Sequence, residues 1–240
     1  NFFDVYAAQL RNTAIFPTLG NHDLGTQNGQ PYLDSFSLPT AGEAGGVSSE
    51  TERFYSFNYG NIHFVVLDSF NEDTTYGGTQ WNWLQQDLEA NTNDWIIAVW
   101  HSPPYTHGSH NSDWEWDCVT MRENFVPLLD SYGVDLVLNG HSHGYERSFL
   151  VAGHYGESWT LDPDMILNGG NGRIDGSGPY YKPALGQPKA NSGTVYTVVG
   201  SSGFRSGGSF DYPAMSYSAY ALGSMVLDVS GSVLHAKWIR

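Results

Sequence analysis

The chain has one cysteine, Cys118, in 240 residues. A lone thiol forms no intrachain disulfide and no thiolate metal cluster, so the redox compartment cannot be read from bridges and Cys118 is expected to be a small packed residue. Basic residues are scarce too: 10 Lys plus Arg stand against 25 Asp plus Glu, a formal net charge of -15. That balance repels nucleic-acid backbones and anionic membranes at long range, which argues against a nucleic-acid-binding surface. It also disfavours anionic substrates unless cations reverse the field at the site itself. No apolar run approaches the length of a bilayer span, and the first residues carry neither the basic start nor the apolar core of a signal sequence. Many Gly, Asn, Ser, Thr, Tyr and Trp with little Lys suit a secreted or periplasmic protein.

What is present is a rhythm of apolar runs. Residues 61–67 form a nearly continuous apolar strand ending at Asp68, and 95–100 form another that stops at His101. Residues 134–138 form a third, running into the loop of His141. Between them, Thr79 can cap a helix to about Ala90 that turns Trp81, Leu84 and Leu88 to one side. A second helix, from about Val119 to Tyr132, presents Met121, Phe125, Leu128 and Leu129 inward, with Pro127 as a kink and Gly133 as its end. Strand, helix, strand, helix, strand in this order predicts a parallel sheet with right-handed crossovers. Tyr59-Gly60-Asn61 reads as a hairpin turn into the first buried strand. Beyond about Ser148 the pattern shortens, and 194–199, 224–229 and 233–239 read as antiparallel strands separated by turn-rich loops at 168–172 and 176–193. A single domain over 1–240 is expected.

The chemistry-bearing residues gather at the ends of these strands. Gly20-Asn21-His22-Asp23 follows the extended segment 15–19, and Gly140-His141-Ser142-His143 follows the third strand, with His101 between them. Neutral nitrogen and oxygen donors of this kind suit zinc, iron or manganese rather than calcium or magnesium alone. Asn21, Asp68, His101 and His141 stand where four loops could converge on one crevice, the usual ligand position in such sheets. The chain therefore reads as a metal-assisted hydrolase.

Gly-Asn-His-Asp at 20–23, His101 before Ser-Pro-Pro-Tyr, and Gly-His-Ser-His-Gly-Tyr-Glu-Arg at 140–147 resemble the calcineurin-like binuclear metallophosphoesterases, in particular the purple acid phosphatase-like branch. The resemblance implies an α/β fold, a sandwich of two mixed β-sheets flanked by helices. It implies hydrolysis of phosphate esters by a water activated on two metal ions, iron, zinc or manganese. Asn21, His101 and His141 would bind one metal and His143 its neighbour. His22 would bind the phosphoryl group or protonate the leaving oxygen, Asp23 would tune its charge, and His110 would be a further substrate-contacting histidine. Two motifs of the resembled family, an Asp-bearing strand end and a Gly-Asp whose Asp bridges the metals, do not occur upstream of Asn21. The expectation is that 1–240 is the C-terminal major portion of such a domain, that the N-terminal part is missing, and that this segment is a partner required to complete the site. The alternative is a non-catalytic extracellular binding or structural module that keeps the fold.

Other residues have plainer readings. His63, His154 and His235 are expected to be structural or surface residues, and His107 a loop residue. Trp81, Trp83, Trp95 and Trp100 are expected in the core, whereas Trp114 and Trp116 are placed to line a substrate entrance. Arg147 is expected to pair with an acid. The glycine-rich run at 168–172 lacks the Lys and helix of a phosphate cradle.

Overall fold

The computed structural model describes residue 4, residues 6–183 and residues 187–240. The loop expected over 176–193 therefore lies partly outside the described residues. Ten strands are present among them: β1 (Tyr55–Tyr59), β2 (Ile62–Val66), β3 (Trp95–Val99), β4 (Leu136–Asn139), β5 (Tyr145–Val151), β6 (Ile166–Asn168), β7 (Thr194–Val199), β8 (Met215–Ala219), β9 (Ser224–Ser230) and β10 (Val233–Ile239). Eight of them form one mixed sheet in the order β1-β2-β3-β4-β7-β5-β6, with β8 also paired to β5. Its middle, β2 to β3 to β4 to β7, is parallel, as the strand–helix rhythm predicts. β1 and β2 form the expected hairpin, Tyr59 opposite Ile62, and Gly60 turns it at φ 61°, a backbone region that glycine enters without strain.

β7 departs from expectation. It runs parallel to β4 and antiparallel to β5, because an inner strand buried on both faces pairs on both edges while its residue pattern carries no mark of direction. Segment 15–19 is extended but joins no ladder. Hydroxyls hold it instead: those of Tyr32 and Tyr55 both donate to the Pro17 carbonyl, and that of Thr18 donates to the Leu67 carbonyl. Proline at position 17 has no N–H for a ladder, so an anchored extended segment is the accessible solution.

Helices cover one face of the sheet. Thr79–Ala90 buries Trp81, Trp83, Leu84 and Leu88, as its spacing requires, but Gly78 is the N-cap and Thr79 is already helical. Burying a leucine such as Leu84 contributes about 2 kcal/mol. The second helix has three parts, Trp116–Thr120, a π turn at Met121–Phe125, and Val126–Tyr132. Pro127 explains the break: it has no N–H to give and its ring crowds the carbonyl four residues back, so the turn before it widens. Gly133 ends the helix in the left-handed region at φ 68°. On the other face lies the antiparallel β9–β10 hairpin, whose Leu227, Val229 and Leu234 pack on Ile62, Ile97, Leu136 and Val195. The sandwich thus has a large mixed sheet with helices on one side and a two-stranded second sheet on the other. Trp81, Trp83 and Trp100 are core residues, while Trp95 is half-buried at the edge, its indole N–H on the Gly231 carbonyl. Cys118 is buried, and burial pushes its thiol pKa up, as befits a packed and unreactive residue.

Candidate metal centre

Three loops at the carboxyl ends of neighbouring chain segments bring the predicted donors together. Asn21 opens the short helix Asn21–Leu24, and its first turn is tied by the Asp23 carboxylate, which accepts from the Gly20 N–H at 2.9 Å. The tie aims the Asn21 amide across the crevice, where its Oδ1 lies 3.0 Å from His101 Nε2. At this distance the amide oxygen accepts a hydrogen bond from Nε2–H, which places both donor atoms where a cation could take the proton's position. Gly20 is needed here for space: a Cβ on it would lie 2.9 Å from the His101 ring.

His101 and His141 face each other edge-on with ring centroids 5.1 Å apart. His141 is one of the few non-glycine residues with positive φ, 62°. That conformation costs about 1–3 kcal/mol and is the kind of strain stored where a side chain must be aimed. The loop is held by Gly140 N–H donating to the His101 carbonyl at 3.0 Å and by Ser142 N–H donating to the Gly140 carbonyl at 2.7 Å. His143 is half-buried, its Nδ1 3.2 Å from the Ser206 hydroxyl and its backbone N–H on the Ser109 hydroxyl.

His110 stacks on His141 at 3.6 Å, so the structure brings it beside the predicted ligands. Its Nδ1 is 2.7 Å from Glu115 Oε2. Glu115 and Asp117 are residues the sequence reading passed over, attending instead to the tryptophans that alternate with them. Both carboxylates stand 3.7 Å from His141 Nε2, and His110, Glu115 and His141 each offer a donor atom within 4.8 Å of the others. The available signal was the Glu-x-Asp alternation following His110 in the stretch to Cys118.

Burial lowers the pKa of His101 to about 4; the nearby imidazoles of His110, His22 and His143 add to the effect and Asp117 opposes it. His141 is lowered to about 4 for the same chief reason, with His110 and His101 adding and the two carboxylates opposing. His143 is lowered as well, by burial first. His101 and His141 therefore stay neutral in mildly acidic solution, the protonation state a metal ligand requires. His22 is exposed, close enough for its charge to be felt at both His101 and His143.

Asp68 does not join the crevice. It is fully buried, Oδ1 accepts from the N–H groups of Phe70 and Asn71, and it shapes the loop that carries Phe70. Phe70 is what reaches the site, 5.8 Å from the His101 ring and 5.6 Å from His141. The plainer readings hold for the other histidines: His63 bridges Asn58 and Asp87, His107 bridges Asp113 and Asp211, His154 is buried against Tyr212, and His235 is exposed. Arg147 donates to the Asn171 carbonyl and lies over Tyr217 rather than pairing with an acid. Trp114 and Trp116 are 69% and 59% exposed, and Trp116 meets Phe70 edge-on at 6.2 Å, at the rim of the histidine cluster.

The family model of the calcineurin-like phosphoesterases matches residues 1–145. Purple acid phosphatase 15 of Arabidopsis thaliana is 35% identical over 163 residues, covering 63% of this chain and 28% of its own length. The acid phosphatase of Aspergillus ficuum is 31% identical over 185 residues, covering 59% of this chain and 28% of its own length. Among solved structures, purple acid phosphatase PPD1 from yellow lupin seeds superposes with a TM-score of 0.67 at 20% identity, over 92% of this chain and 34% of that one. The chain spans about a third of the length of these relatives. Family model, fold and motif geometry agree: this chain belongs to the calcineurin-like phosphoesterase family, with purple acid phosphatases among its homologues.

Proposed function

We propose that this chain carries the metal-binding core of an enzyme that hydrolyses phosphate esters. The observation that carries the reading is the meeting of Asn21, His101 and His141, from three separate loops, in a crevice where both imidazoles stay neutral to about pH 4. Asn21, His101 and His141 would hold one cation and His143 a second, iron, zinc or manganese by donor chemistry. Such ions supply Lewis acidity toward a phosphoryl oxygen and lower the pKa of bound water.

The remaining residues have roles of their own. Asn and His donors add no negative charge of their own, so cations held by them would offset the nearby Glu115 and Asp117 carboxylates and draw an anionic phosphoryl group. His22, exposed at the mouth, is placed to bind that group or give a proton to the departing oxygen, and Asp23 fixes the turn beneath it. His110 is oriented by Glu115, which takes the Nδ1 proton in a hydrogen bond and leaves Nε2 for the substrate. Sparse lysine and a carboxylate-rich composition support a secreted or periplasmic setting.

Equilibrium dialysis against Zn(II) and Mn(II), paired with an assay of a chromogenic phosphate ester, tests the reading. The expected result is saturable metal binding and turnover abolished by chelator, both lost in His141→Ala. Equal metal uptake by the wild-type chain and His141→Ala, or turnover indifferent to chelator, would refute it. Metal uptake without turnover, even in a chain extended to carry an Asp-bearing segment ahead of Asn21, would favour the non-catalytic module.

A further inference from the structure

Large aromatic side chains stand exposed at the mouth of the crevice, where the reading above has no use for them. Trp116 is 59% exposed and Phe204 64% exposed. Phe70 and Trp116 border the His101–His141 end of the cluster, and Phe204 borders the other, 5.3 Å edge-on from His143. Aromatic faces on both flanks of a catalytic crevice form a surface for a planar ring, since stacked and edge-to-face pairs gain beyond simple burial.

Charge narrows the choice. The carboxylates of Glu115 and Asp117 lie at the same cluster, each 3.7 Å from His141 Nε2. Arg205, next to Phe204 in the chain, is turned onto the Tyr220 ring at 4.6 Å and its carbonyl. An alcohol bearing further negative charge would meet carboxylates here.

Resting on the phosphoester-hydrolase reading, we propose that Phe70, Trp116 and Phe204 receive the ring of the substrate's alcohol, so that the favoured substrates are monoesters of uncharged phenolic or arylmethyl alcohols. In the reaction the oxygen of water bonds to phosphorus and the bond from phosphorus to the alcohol oxygen breaks. The electron pair leaves on that oxygen, which takes up a proton, and the water's proton passes to solvent. The products are the aromatic alcohol and inorganic phosphate.

The test compares non-hydrolysable ligands by calorimetry on the Zn(II)-supplied chain: benzylphosphonate, cyclohexylmethylphosphonate, which matches it in size but is not planar, and (4-carboxybenzyl)phosphonate. Benzylphosphonate should bind about two- to tenfold more tightly than the cyclohexyl compound, and the added carboxylate should weaken it. The variant Trp116→Ala/Phe204→Ala should equalise the first two, while Trp116→Phe should keep the preference. Equal affinities in the wild-type chain, or a preference that survives in the double variant, overturns the ring site. Hydrolysis of benzyl phosphate is measured alongside, with a chain extended to carry an Asp-bearing segment ahead of Asn21: preference without turnover keeps the ring site and removes the hydrolase reading, and turnover without preference does the reverse.

Discussion

Replacing Glu146 by Gln should make the folded chain more stable than wild type at high pH but not at low pH. Glu146 is the second residue of β5, fully buried between β7 and β8. Burial raises its carboxyl from 4.5 to about 7, against the pull of the Thr106 hydroxyl and the His107 N–H and charge, and with a small push from Asp211. Thr106 in turn bonds the Ser142 hydroxyl at 3.0 Å, and Ser142 accepts from the Ser109 N–H at 3.0 Å. The carboxyl thus ties the loop of His110 to the loop of His141. A folded state that holds the proton up to about 7, against 4.5 when unfolded, gains stability that is complete below 4.5 and lost as pH rises through 7. At about 1.4 kcal/mol per pH unit the span is about 3 kcal/mol. Glutamine is neutral throughout and keeps it. Urea unfolding of both chains in chelator at pH 4 and pH 8 reads the difference, in which titrations common to both cancel. The stability of Glu146→Gln minus that of wild type should rise by about 3 kcal/mol between the two conditions. A difference independent of pH would refute the placement of a buried, proton-holding carboxyl.

Other substitutions act on the site or on its support. His101→Ala should cost most of the metal affinity, read by dialysis, because it removes a donor that Asn21 alone cannot replace. Glu115→Gln should lower kcat/KM for a phosphate ester by about tenfold or more, through loss of the anionic acceptor that orients His110. Gly20→Ala should weaken metal binding while leaving the denaturation midpoint near wild type, since the added methyl displaces the His101 ring and little else. Leu84→Ala should destabilise the chain by about 2–5 kcal/mol in urea unfolding, with no selective effect on metal binding, because its cavity opens far from the crevice under the helical layer.

The β2, β3 and β4 part of the parallel sheet was legible because its strands are nearly continuous apolar runs and each helix between them repeats its apolar face at helical spacing. The donors were legible because Asn21, His101 and His141 directly follow such runs. What could not be read depends on partners distant in the chain. The direction of β7 is set by β4 and β5 and leaves no trace in its own residues. Asp68 looks like a ligand by position, and only its bonds to Phe70 and Asn71 N–H show it to be a loop brace. Glu115 and Asp117 sit in a stretch without periodicity, and their value appears only when the loop folds back so that both lie 3.7 Å from His141. The strain at His141 is likewise a property of the loop contacts and not of the residue type.

His154 supplies a second buried titration of opposite sense to Glu146, and comparison of each variant with wild type separates the two. It is fully buried, its Nε2 2.9 Å from the Tyr212 hydroxyl and its ring stacked on Tyr105 at 5.2 Å. Burial lowers its pKa to about 4, Arg122 adding and Asp113 opposing. Here the unfolded state binds the proton first, so the stability this residue contributes is present above about 6.5 and is lost as pH falls toward 4. Between 4.5 and 6.5 the His154 and Glu146 contributions therefore slope in opposite directions and offset one another. Each removal is read as a difference from wild type: across this window the stability of Glu146→Gln minus that of wild type should rise with pH, and that of His154→Phe minus wild type should fall. Identical slopes in the two variants, measured by urea unfolding in chelator from pH 4 to pH 7, would show that neither group keeps the protonation state its burial imposes.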